Sequence, residues 1–169
     1  MGLFRYPGGK TNLAKKFICP RIDELMNRSG CGGFCEPFIG GASVTLTLLE
    51  DFSNSKLKVM IGNDKDFPMA TLLNVVTLFP LNLIDKIKEF KPSVEDYYYF
   101  QGILRSDYHI ERVFKEDWVK LAFSKLVIQE LSFSGIGAVE GAPVGGLYQI
   151  DFAGKRKKHN ILVNGTQIG

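Results

Sequence analysis

Three stretches of the chain hold the residue types from which a ligand site could be built. "FRYPGGKT" (4–11) sets a glycine pair before Lys10 and Thr11. Loops that wrap backbone amides around a phosphate share that ending, but they need a further glycine five positions before the last one. Phe4 stands there instead. The stretch therefore reads as a turn at Pro7 and Gly8, with Thr11 or Asn12 capping the helix that follows. A helix start of this kind still offers free amides to an anionic group. "CEPFIGGASV" (35–44) and, further on, "GNDKD" (62–66) have the layout of a nucleotide-type site. Glycines let the backbone approach a ligand, and a carboxylate at the next strand end can accept both ribose hydroxyls. GGAS is not G-x-G-x-x-G, however, and acidic strand ends are common, so this pair alone fits a non-binding α/β unit equally well.

The elements that must position these residues follow from hydrophobic spacing. In 11–27, Leu13, Phe17, Ile18, Ile22, Leu25 and Met26 recur at helical intervals, and Pro20 should kink that helix or start a second one. "RSGCGG" (28–33) is a loop, and "FCEPF" (34–38) is a short apolar run that reads as a buried strand. A turn and helix over 40–51, a strand over 56–64 and a helix over 69–79 complete one β-α-β unit of the doubly wound kind. Helices are expected over 81–90, over 94–105 with Ser93 as N-cap, and over 116–131. The tyrosines at 97–99 fit a helix straddling core and surface better than a base-stacking platform. Residues 132–146 are glycine-rich and irregular, and 147–169 show weak alternation.

Composition narrows the function classes. Of the 169 residues, 45% are hydrophobic and 23% charged, as in an ordinary soluble globular protein. No apolar run reaches the length of a membrane span and no signal-like region opens the chain, so the expectation is cytoplasmic, with no membrane partner. Three cysteines suit reduced thiols better than a disulfide framework. A zinc site on Cys31 and Cys35 would need two more soft ligands, and His109 and His159 lie far off, so no metal is expected. The net charge of +3 is uneven: "KRKKH" (155–159) is the one basic run, a solvated loop or a phosphate contact.

Taken in order, "RYPGGK" (5–10), "EPFIGGASV" (36–44) and "NDKD" (63–66), with Asn74 further on, resemble the adenine-specific DNA methyltransferases of the Dam type. Members of that family open with an aromatic-x-G-G-K turn, continue with an E-P-F-x-G-G-x-S loop and follow with an N-D strand end. "SFSG…APVGG" is similar to a segment of their DNA-recognition region, so the resemblance covers nearly the whole chain. It implies an α/β fold, a partial Rossmann-like S-adenosylmethionine-dependent methyltransferase sheet with an inserted helical DNA-recognition region. Residues 1–80 would form the cofactor-binding α/β unit, 81–160 the mostly helical target-recognition region, and 161–169 a truncated return to the α/β domain.

Carried over residue by residue, the resemblance implies a site for S-adenosylmethionine. Tyr6 and Lys10 match the first motif, beside the amino-acid end of the cofactor, where an ammonium could pair with a carboxylate. Glu36, Pro37, Phe38 and Gly40 match the loop under the cofactor, and Asp64 matches the carboxylate that holds the ribose. Asp66 competes for that last role, since N-D-K-D offers two acids. Contact with double-stranded DNA, weak or non-specific, is expected from Phe133 and Ser134 and from Lys155, Arg156 and Lys157.

Two departures bear on activity. Where the family usually carries Asn-Arg ahead of the aromatic-glycine turn, Gln129 and Glu130 stand here. The family's Asp-Pro-Pro-Tyr motif, which binds the adenine amine and stacks on the flipped base, has no counterpart: the seven prolines lie at 7, 20, 37, 68, 80, 92 and 143, no two adjacent. The expectation is an N-terminal portion without catalytic residues, inactive alone and marginally stable. An uncovered sheet edge would invite self-association. The competing readings are a non-catalytic module that binds DNA or cofactor weakly, and an unrelated α/β nucleotide-binding protein.

Overall fold

The computed structural model describes residues 8–52, 57–106, 115–132, 141–143, 161–163 and 166–168. They fall into two compact units, Met1–Lys65 and Asp66–Gly169.

The first unit opens with helix α1 (Thr11–Leu13), which widens into a π turn over Ala14–Ile18 and continues as α2 (Cys19–Ser29). Pro20 explains the widening. It has no N–H to donate and its ring would strike the carbonyl four residues back, so the chain loosens its winding just before it. The proline then occupies the first turn of α2, where a missing donor costs nothing. Helix α2 ends at Gly30, left-handed with φ 68°, whose N–H donates to the Met26 carbonyl at 2.9 Å.

Strands β1 (Gly33–Glu36) and β2 (Val59–Gly62) pair in parallel, joined through helix α3 (Ser43–Asp51). Both are shorter than the hydrophobic runs suggested, and β1, expected to be a buried strand, alternates between exposed and half-buried residues. Pro37 has no N–H for the ladder and ends β1 one residue after its last carboxylate. Register pairs Phe34 with Met60 and Cys35 with Ile61. Phe34 and Met60 pack against the buried cluster of Ala14, Cys19, Val44 and Leu48, together with Ile18, Ile22 and Phe52. The alternate positions Cys35, Val59 and Ile61 are exposed, as the two-residue period of a strand requires. Burying a side chain such as Leu48 contributes about 1.5–3 kcal/mol. Among the described residues, the parallel sheet consists of these two strands.

The second unit is helical. Asp66 caps α4 (Phe67–Leu78) by accepting the Met69 N–H at 3.2 Å, and Pro68 sits in the first turn. Its second oxygen meets Lys125 Nζ at 2.7 Å. Pro80 starts α5 (Pro80–Glu89). Ser93 and Asp96 form a reciprocal capping box at the head of α6 (Val94–Arg105). Tyr97 is buried while Tyr98 and Tyr99 are exposed, the straddling arrangement that the sequence suggested. Helix α7 (Lys115–Leu131) is the hub against which α4, α5 and α6 pack, and its residues 121–131 are all buried. Phe90, Phe100 and Phe123 meet edge to face at centroid distances of 5.2–5.8 Å. Strands β3 (Ile161–Val163) and β4 (Thr166–Ile168) pair antiparallel as a two-stranded sheet of their own. Among the described residues, no single helix is long and apolar enough to cross a membrane.

Candidate ligand site at the glycine loop

The link from β1 to α3 turns sharply. Gly40 (φ 47°) and Ala42 (φ 56°) are both left-handed, and the second is a position that an L side chain occupies at a cost of about 1–2 kcal/mol. Ala42 is also the N-cap of α3 and has no side-chain acceptor for the helix's free amides. Glu36, at the end of β1, supplies it instead. Its Oε2 accepts the Thr45 backbone N–H at 3.0 Å and the Thr45 hydroxyl as well. A carboxylate at a helix N-terminus is favoured by both hydrogen bonding and the helix dipole. Glu36 thereby locks the turn from below.

The end of β2 locks it from the side. Asn63 N–H donates to the Glu36 carbonyl at 3.0 Å, and Ile39 N–H donates to the Asn63 carbonyl at 2.8 Å. Asn63 Nδ2 donates to the Pro37 carbonyl at 3.1 Å. Gly40 N–H donates to Asp64 Oδ2 at 2.8 Å. The Ile39 side chain lies over Gly62, where an added Cβ would run into its Cδ1. Phe38, between these anchors, is 86% exposed.

Of the residues singled out from sequence, Glu36, Pro37, Phe38, Gly40 and Asp64 thus share one neighbourhood outside the carboxyl ends of two parallel strands. Lys10, and not the Thr11 or Asn12 expected from the sequence, is exposed at the N-cap position of α1, with its carbonyl accepting the Ala14 N–H at 2.6 Å and no side-chain cap. The helix it opens packs on α3. Tyr6 lies outside the described residues, as do Phe133, Ser134, Lys155, Arg156 and Lys157. Asp66 is engaged as a helix cap and in the ion pair with Lys125, both in the second unit. Gln129 and Glu130 are buried, 0% and 3% exposed, within α7.

Beneath the site, the Cys19 thiol is buried and points at the Val44 carbonyl, 3.6 Å away. Burial pushes its pKa up, and the negative charges of Glu36 and Asp51 push it the same way. Among the described residues, no three His, Cys, Asp or Glu side chains gather to hold a metal ion.

Sequence reasoning missed Asn63 and Gly62. In "GNDKD" the acids are the residues whose type suggests ligand chemistry, while the asparagine's side-chain bond reaches a residue 26 positions earlier. The one signal was its place at a strand end beside an acid.

A glycine loop closing over parallel strand ends, with an acid from the neighbouring strand bound to it, is the layout of the α/β proteins that take nucleotide-like ligands. The chain matches the D12 class N6 adenine-specific DNA methyltransferases over residues 6–159, and it belongs to that family. No curated protein sequence matches it.

Proposed function

We propose that this chain carries the S-adenosylmethionine site of an adenine-N6 DNA methyltransferase, built on a Rossmann-like sheet of which β1, α3 and β2 are the first β-α-β unit. The reading rests chiefly on the bond from the Gly40 amide to Asp64, which ties the glycine loop to the acidic strand end. The residues present suit the cofactor: a carboxylate at the strand end, an exposed aromatic and an exposed ammonium are partners for ribose hydroxyls, an apolar face and an amino-acid carboxylate. Asp64 would accept the ribose hydroxyls, Phe38 would pack on the ligand, and Tyr6 and Lys10 would stand at its amino-acid end. When bound, the cofactor supplies the electrophilic methyl group. Glu36 acts from below, holding the head of α3 so that the loop keeps its shape.

In this reading the cofactor-binding residues lie within 1–80 and the contacts to double-stranded DNA within 81–160. Phe133, Ser134, Lys155, Arg156 and Lys157 are the proposed DNA contacts. Because no Asp-Pro-Pro-Tyr stretch occurs in these 169 residues, the chain alone binds without turning over. The exposed Val59 and Ile61 add apolar surface that favours association between copies.

Titration calorimetry with S-adenosylmethionine tests the site, and labelled methyl transfer to adenine-containing duplex DNA tests turnover. Binding without transfer is the expected pair of results. No heat of binding would overturn the cofactor site, and turnover above background would overturn the inactivity.

A further inference from the structure

Resting on the cofactor reading above, we propose that Asn63 is a positioning residue that holds the glycine loop in its ligand-ready shape without touching the ligand. Three hydrogen bonds carry the inference. Its backbone N–H and carbonyl bond Glu36 and Ile39 at 3.0 and 2.8 Å. Any residue but proline could make those two. The third, from Nδ2 to the Pro37 carbonyl at 3.1 Å, needs an amide side chain. The partner is a carbonyl, so the nitrogen and not the oxygen of the amide must face it. Pro37 lies just beyond the last ladder pair of β1, between Glu36 and Gly62, so its carbonyl is past the reach of the strand pairing.

Together the three bonds bracket Pro37–Ile39 and fix both ends of the segment that presents Phe38. Gly62 completes the clasp by leaving room for Ile39 to lie across the end of β2. A loop already held in one conformation loses less freedom when a ligand arrives, and the saving appears as affinity.

The test compares the wild-type chain with Asn63→Ala in two measurements. Amide hydrogen exchange on the ligand-free protein should quicken about tenfold at Ile39 and Gly40 and stay unchanged at Leu46 and Leu48 in α3. Affinity for S-adenosylhomocysteine should fall about five- to tenfold. Asn63→Asp, which sets an oxygen against the Pro37 carbonyl, should loosen the loop at least as much. Weaker binding with unchanged exchange would overturn the proposal, because Asn63 would then act on the ligand itself. Faster exchange with unchanged affinity would overturn it too, since the clasp would not position anything that matters. If the wild-type chain fails to bind S-adenosylhomocysteine, the cofactor reading falls and the positioning role falls with it. If the wild type binds and Asn63→Ala binds equally well, only the positioning role is lost.

Discussion

Asp64 Oδ2 accepts the backbone N–H of Gly40 at 2.8 Å, so the acid at the end of β2 is also a structural brace for the glycine loop. The two roles can be separated by substitution. Asp64→Ala removes brace and charge together, while Asp64→Asn keeps an oxygen acceptor for Gly40 and loses only the charge. In chemical denaturation, Asp64→Ala should cost about 1–2 kcal/mol, the scale of a part-buried donor left without its acceptor. Asp64→Asn should stay close to wild type. Both should weaken S-adenosylmethionine binding, Asp64→Ala by about 1.5–3 kcal/mol. Equal stability for the two variants would show that the Gly40 bond contributes nothing.

Asp66 carries a different load. It caps α4 through the Met69 N–H and pairs with Lys125, whose side chain is 6% exposed against 40% for the aspartate. Asp66→Ala leaves that ammonium buried and the helix uncapped. The half-open aspartate lowers the expected loss to about 2–3 kcal/mol, below what a fully buried pair would cost. Asp66→Asn, itself a good cap, should lose less. Neither should change S-adenosylmethionine affinity if Asp64 is the ribose acceptor. A drop in affinity with Asp66→Asn alone would move the ribose role to Asp66.

These two acids show where the sequence was legible. The order strand, glycine turn, helix, strand was readable because Pro37, the glycines and the apolar runs each act locally. The N-cap at Ser93 was readable as well, because a cap acts on its own helix, while the reciprocal bond from Asp96 came only with the structure. Long-range choices were not. Nothing in "NDKD" says that Asp64 turns to Gly40 while Asp66 starts a helix, because that depends on where the ladder of β2 stops. The burial of Ser124, Lys125, Gln129 and Glu130 was hidden for a similar reason. A helix surrounded by other helices buries its polar residues too, and a pattern of spacing cannot report a neighbour on every side.

Cys19 gives a pH-dependent prediction. Its folded pKa is raised, first by burial and then by Glu36 and Asp51. As pH rises past the ordinary thiol value of about 8.5, the unfolded chain releases this proton while the folded one still holds it. Stability from this group is therefore full below that pH and declines above it. Cys19→Ser should flatten that alkaline decline. Thiol labelling of the native protein should modify the exposed Cys31 and Cys35 and spare Cys19 until unfolding. Labelling of all three at equal rates would contradict the burial.

Lys155, Arg156 and Lys157 are proposed to contact phosphates, a role with a salt signature. Each neutralised phosphate releases condensed counterions, so duplex affinity should fall steeply between about 50 and 200 mM salt. Replacing all three by alanine should weaken binding uniformly across sequences and make the salt slope shallower by about 1 for each phosphate left unneutralised. Affinity that is flat with salt in the unmodified chain would remove the phosphate role.

Glu130 invites a restoration experiment, since the family resemblance places an arginine there. With Glu130 only 3% exposed inside α7, a guanidinium would be drawn into the helical core of the second unit and not set toward DNA. Glu130→Arg should therefore destabilise that unit by about 3 kcal/mol or more, the cost of an unmatched buried charge, without raising duplex affinity. Gln129→Asn, shorter by one methylene at a position with no exposure, should cost about 1 kcal/mol through the space it leaves. Thermal unfolding followed by circular dichroism reads the helical loss, and fluorescence anisotropy with labelled duplex reads the affinity. If Glu130→Arg instead folds normally and binds DNA more tightly, then α7 must turn this face outward when DNA is present.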